Sequence, residues 1–266
     1  MARAANKAGI PDEVFSFLKE LWKDVKEKVV EETWLRIKKE VYKAQKRFSG
    51  ETIAVFGPPA AGKSTLLKVL QNVNTPAAEL QTFSKTELEE QGDINVDFKL
   101  SVGPDEQVRF RFKVRKNSDV GGEEYIRKLH WPAVIKGAAV VIYMLEGPKL
   151  LSDDSQIYRE RVFADFDWLL EQSQLLHENF AIVLGFNKVD ELCDTTTYKS
   201  FVREHGDLLE KLKLDIQDRW PEHLVSHIKG GIFLSLLEPR LRAFTLNGLV
   251  SCFVGDELMK LYRQPT

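Results

Sequence analysis

Apolar residues fall into two rhythms along the chain. Three stretches are apolar almost without interruption: 138–145 (AAVVIYML), 180–186 (FAIVLGF) and 232–237 (IFLSLL). Unbroken runs of this length predict strands buried on both faces of a parallel sheet. Thr52 to Phe56 is a shorter strand of the same kind. Ile94 to Val102 and Val108 to Val114 instead alternate apolar with polar, which predicts an antiparallel hairpin turned at Gly103–Pro104. Helical spacing marks 64–70, 156–174, 199–218 and 246–261, whereas 71–92 is polar and irregular and predicts a long loop. Strands alternating with helices predict a doubly wound α/β sheet, mostly parallel with one antiparallel strand pair near its start.

Ahead of Gly50 the rhythm is wholly helical. Leu18, Trp22, Val25 and Val29 share one face, and Val30, Trp34, Ile37, Val41, Ala44 and Phe48 continue it in steps of three and four. Pro11–Asp12 and Ser49–Gly50 bound this stretch, as one long helix or two joined ones. The division expected is an amphipathic helical extension over 1–49 and an α/β domain over 50–266. The polar face mixes Lys, Arg and Glu. That favours packing on the chain's own domain, or a short coiled coil with a partner, over contact with a membrane.

Composition changes this picture little. Apolar content of 43% and charged content of 29% describe an ordinary globular protein. A net charge of −2 gives no basic field for nucleic acid or an anionic membrane. Two cysteines, Cys193 and Cys252, stand apart, so a reducing cytoplasm is expected. MARAANKAG has no apolar h-region, and Ala2 excludes myristoylation, so any membrane contact is expected to be peripheral, through the N-terminal helix. The five histidines are scattered and suggest partial burial rather than a metal site. Trp131 is expected to pack beneath its helix.

The strongest chemical signal is Gly57-Pro-Pro-Ala-Ala-Gly62-Lys63-Ser64, a G-x-x-x-x-G-K-[ST] phosphate loop between a predicted strand and a predicted helix. Loop amides and the helix N-terminus would surround a β-phosphate, Lys63 would reach the β and γ phosphates, and the Ser64 hydroxyl would ligate Mg²⁺. A bare glycine turn would leave Lys63 unpaired. Asn187-Lys188-Val189-Asp190, directly after a predicted strand, chooses the base. The Asp190 carboxylate can accept from guanine N1–H and the exocyclic amine, a pattern adenine lacks. Asn187 can bond the purine edge and the phosphate loop, while the Lys188 stem lies over the ring. In Asp119-Val120-Gly121-Gly122, Asp119 would hold Mg²⁺ through water and the Gly122 amide would sense a γ-phosphate.

These residues resemble the Ras-like small GTPases with their P-loop NTPase sheet, and within them the Arf and signal-recognition-particle receptor beta type. Ala60 to Thr65 (AAGKST) is similar to the Arf phosphate loop, and Asp119-Val-Gly-Gly followed by Tyr125-Ile-Arg-Lys-Leu is similar to the Arf switch II. The resemblance spans about Thr52 to Leu261. It implies GTP/GDP and Mg²⁺ as ligands, a protein effector or regulator as partner, and phosphate donors from Ala60 and Ala61 through Gly62, Lys63, Ser64 and Thr65. Pro58 and Pro59 then occupy the positions whose amides are least needed, with Pro59 crowding the approach to the γ-phosphate. Ser235-Leu236-Leu237 stands where the family's last base-contacting loop falls, with Leu237 in place of a lysine. Thr86, with Thr82 behind it, is the switch I threonine expected over Mg²⁺. The strand before Asp119 ends in Arg115-Lys-Asn-Ser, polar where the family is apolar. Glu123 stands where the family places its catalytic glutamine. A carboxylate offers acceptors only and adds charge beside the γ-phosphate, so slow hydrolysis is expected.

Three functions are compatible with this reading. One is a nucleotide-dependent switch that signals through the Thr86 and Asp119–Gly122 segments. Another is a constitutive GTP-binding scaffold working through the N-terminal helix. The third is a P-loop enzyme of another class, which Asn187 to Asp190 disfavour.

Overall fold

A computed structural model describes residues 31–72, 74–81, 94–101, 107–114 and 124–254. Helix α1 (Glu31–Phe48) leads into β1 (Thr52–Phe56), α2 (Lys63–Gln71) and the short α3 (Ala77–Gln81). The hairpin strands β2 (Ile94–Ser101) and β3 (Gln107–Val114) follow, then α4 (Glu124–Ile135) and β4 (Ala138–Glu146). Next come α5 (Gly147–Leu150), α6 (Ser155–Glu171) and β5 (Ala181–Asn187), then α7 (Tyr198–Gln217) and α8 (Glu222–Val225). The last are β6 (Ile228–Phe233) and α9 (Pro239–Val254).

The six strands form one sheet in the order β2-β3-β1-β4-β5-β6, with β2 antiparallel to β3 and every other pair parallel. This is the mostly parallel α/β sheet with one antiparallel strand pair that the apolar pattern predicts. The chain starts in the middle at β1, fills one side with β3 and β2, then crosses to β4. The carboxyl end of β1 is therefore the switch point where open α/β sheets leave a crevice for ligands. β4 and β5 are buried along their whole length, as their unbroken apolar runs require. Trp131 is also buried, edge-on to Phe56 at 4.9 Å and to Trp168 at 5.2 Å.

Three predicted elements differ from the pattern. The last strand runs over Ile228–Phe233 rather than 232–237, because Gly230 and Gly231 break the apolar run without breaking the strand. Leu234, Ser235 and Leu236 remain buried beyond it, since that segment crosses the end of the sheet next to β5. The stretch read as a loop from residue 71 contains α3, anchored by buried Leu80. Five residues are too few to show a helical period against polar flanks. The predicted final helix begins at Pro239, seven residues before its periodic stretch.

Helix α1 docks on the sheet. Val41, Ala44 and Phe48 are buried, and the helix packs against β3 and α9. Gln45 Nε2 donates to the Arg109 carbonyl at 2.7 Å, and Arg47 donates to the Asn179 carbonyl at 2.6 Å. Leu35 and Tyr42, seven residues apart on another face, are 62% and 48% exposed.

Candidate nucleotide-binding site

The phosphate loop turns off β1 at Gly57, whose φ of +138° would place any side chain against the Met144 carbonyl of β4. Pro58 is buried and Pro59 exposed. The Pro58 carbonyl accepts from the Ala61 amide at 3.4 Å, closing the turn, and Ala60 takes a left-handed φ of +62°. Gly62, at φ +90°, immediately precedes α2, and a Cβ there would strike the Asn187 amide nitrogen. No side chain caps α2, and its first turn holds no acidic residue. The positive end of its backbone dipole therefore faces this loop with no carboxylate of its own first turn beside it.

Lys63 is buried, and its ammonium donates to the carbonyls of Gly57 at 3.1 Å and Pro58 at 2.9 Å. The expectation that a bare glycine turn leaves this lysine unpaired is thus corrected. The loop folds back to supply acceptors of its own, so pairing of Lys63 does not by itself argue for a ligand.

The second wall comes from the end of β5. Asn187 is 4% exposed, and its Nδ2 donates to the Ala61 carbonyl at 3.0 Å, tying this wall to the phosphate loop. Its Oδ1 is buried with no hydrogen-bond partner, an acceptor that a ligand donor would satisfy. Lys188 is left-handed, at φ +66°, and turns the chain into a single 3-10 turn at Val189–Glu191. The Asp190 carboxylate accepts from the buried Ser235 hydroxyl at 2.9 Å. The two loops are also joined through the backbone: Leu234 donates to Phe186 at 2.7 Å and Val189 to Leu234 at 3.2 Å.

Between the walls lies a cavity of about 610 Å³, within the size range of small-molecule and cofactor sites. Ala60, Gly62, Lys63, Ser64 and Thr65 line it on one side, and Asn187, Lys188, Asp190 and Leu236 on the other. Gly57, Ala61 and Ser235 do not line it, but they bond Lys63, Asn187 and Asp190, which do. The predicted residues Thr82, Thr86, Asp119, Gly122 and Glu123 lie outside the described residues. Of the expected Mg²⁺ ligands, Ser64 alone is therefore described, at the cavity wall. The N-terminal end of α2, a buried lysine and the orphaned Asn187 acceptor make a set of polar groups that fits a phosphorylated purine.

The sequence reading missed three kinds of residue. Leu80 and Gln81 of α3 and Glu191 line the cavity. Arg242 of α9 is a buried guanidinium that donates to the carbonyls of Leu236 at 2.6 Å, Thr75 at 2.6 Å and Leu237 at 3.3 Å. Burial lowers its pKa, opposed by Glu238 and Asp190. Glu146, the last residue of β4, carries the Lys188 and Lys149 ammoniums, each at 2.8 Å. An acid closing an apolar run was the one signal that marked it.

No protein-family model matches the chain. It is similar to the oligomycin resistance ATP-dependent permease YOR1 of Saccharomyces cerevisiae, at 32% identity over 106 residues. That match covers 40% of this chain and 7% of the permease. Among solved structures it is similar to translation elongation factor SelB of Methanococcus maripaludis in complex with the GTP analogue GppNHp. The TM-score is 0.42 and the identity 14%, over 77% of this chain and 34% of that one. No helix among the described residues is long and apolar enough to cross a membrane.

Proposed function

We propose that this chain is a guanine-nucleotide-binding switch protein that binds GTP and GDP with Mg²⁺ and hydrolyses GTP slowly. One observation carries the reading: Asp190, its carboxylate held by Ser235, lines the same cavity as the N-terminus of α2. A phosphate entering at α2 leaves the base beside an acceptor that suits guanine N1–H and its exocyclic amine. The amides from Ala60 to Thr65 and the Lys63 ammonium hold the phosphates, and Ser64 holds the metal. Bound Mg²⁺ would supply charge neutralisation at the β and γ phosphates. Asp119, Gly122 and Thr86 are assigned to the γ-phosphate and metal side of the site, where they read the nucleotide state for a protein effector or regulator. Glu123 makes turnover slow.

Identification of the nucleotide that copurifies, followed by its single-turnover hydrolysis, tests the proposal. Guanine nucleotide cleaved more slowly than by an unassisted Ras-family protein is the expected result. An adenine nucleotide, as the permease's name would suggest, or fast cleavage would overturn it.

A constitutive GTP-binding scaffold is the second reading, favoured by exposed Leu35 and Tyr42 on α1. Limited proteolysis separates the two. The switch predicts that cleavage within 71–92 differs between GDP and a GTP analogue, and the scaffold predicts identical patterns.

A further inference from the structure

Glu146 raises a question that the phosphate and base motifs do not answer. It is 7% exposed, closes β4, and pairs in register with Asn187 of β5. Its amide donates to the Tyr158 hydroxyl at 2.7 Å, which fixes the backbone of this residue from α6. Burial raises its carboxyl pKa, but hydrogen bonds and charge from Lys149 and Lys188 outweigh burial and leave it below the usual range. A carboxylate in such a place is tolerated only when paired. The two lysines do different work. Lys149 is half exposed and reaches Oε2 from α5, whereas Lys188 reaches Oε1 from the cavity wall itself. Lys188 lines the cavity and Glu146 does not, so the lysine's charged end is held by a group outside the lining. Glu191 stands 3.9 Å from the same ammonium, too far to hold it.

We infer that Glu146 is a positioning residue for the purine. It draws the Lys188 ammonium behind the wall, so that the methylene stem presents an apolar surface to the base. This rests on the nucleotide reading above but not on guanine in particular, since a stem packs on either purine ring. Lys188 itself is left-handed, at φ +66°. Its side chain is clamped at the tip as well as at the backbone.

The test uses the full chain with E146A, E146Q and K149A, and measures equilibrium binding of GDP, IDP, ADP and inorganic tripolyphosphate. E146A is expected to weaken GDP and IDP by the same factor, about tenfold, which is what losing about two buried methylenes amounts to. Tripolyphosphate, which reads the phosphate loop alone, is expected to bind unchanged. E146Q keeps an acceptor and is expected to lie between, and K149A is expected to match wild type. Unchanged GDP binding in E146A, or an equal loss for tripolyphosphate, would overturn the inference. Should E146A fail to fold, the split between nucleotide and tripolyphosphate in E146Q decides it. If wild type prefers ADP to GDP, the guanine reading fails, and the ratio of variant to wild type for ADP still tests Glu146.

Discussion

Single residues hold the two walls of the site at a fixed distance. Asn187 spans from β5 to the Ala61 carbonyl, and Gly62 is the position that must lack a side chain for it to do so. Gly62→Ala is therefore expected to displace the Asn187 amide and to weaken nucleotide binding by about tenfold or more, since a buried hydrogen bond is lost and a left-handed φ is forced on a Cβ. Titration with labelled GDP reads this, and unimpaired binding would show that the contact is not needed. The phosphate loop and the Asn187–Asp190 tetrapeptide were legible in sequence because each is a short contiguous string. The bonds that make them one site were not. The Lys63 carbonyl partners follow from how the loop folds back, and the Glu146–Lys188 pair joins residues 42 positions apart.

At the level of elements, α9 reaches back to the Leu236 side of the cavity through one side chain. Arg242 holds the Leu236–Leu237 loop and the Thr75 segment that leads into α3. Arg242→Met keeps much of the volume but takes a charged donor from three carbonyls, and is expected to cost about 3 kcal/mol of stability. Denaturant unfolding measures it, and a loss within error would contradict the bracing role. The start of α7 carries a pH signature. The Asp194 carboxylate accepts from the hydroxyls and amides of Thr196 and Thr197, which lowers its pKa to about 2. A pKa below the unfolded value of about 3.9 means a contribution fully present above about pH 4 and lost as pH falls towards 2. Asp194→Asn is expected to flatten the stability profile in that window and nowhere else, as acid titration of unfolding would show. The sheet was legible because its buried strands are unbroken apolar runs. Strand β6 and helix α3 were misplaced because glycines and short length hide their periods.

The whole molecule places the described walls of the site at the carboxyl end of the sheet, where β1 turns into α2 and β5 into the Asn187–Asp190 loop. Helix α1 does not line that cavity and is buried by Val41, Ala44 and Phe48 against β3 and α9. A membrane element that detaches on nucleotide exchange would have to expose that face, which opposes release at about 1.5–3 kcal/mol for each large side chain. Flotation with anionic vesicles is expected to leave the GTP-loaded protein in the aqueous fraction, and recovery with the vesicles would overturn this packing as the resting state. The central claim is that Asp190 selects guanine in the cavity beside α2. Equilibrium binding of GDP, ADP and XDP to wild type and Asp190→Asn tests it most directly. GDP tighter than ADP by at least about a hundredfold in wild type, with preference passing to XDP in the variant, is the predicted result. ADP binding as tight as GDP, or GDP affinity unchanged by the substitution, would contradict it.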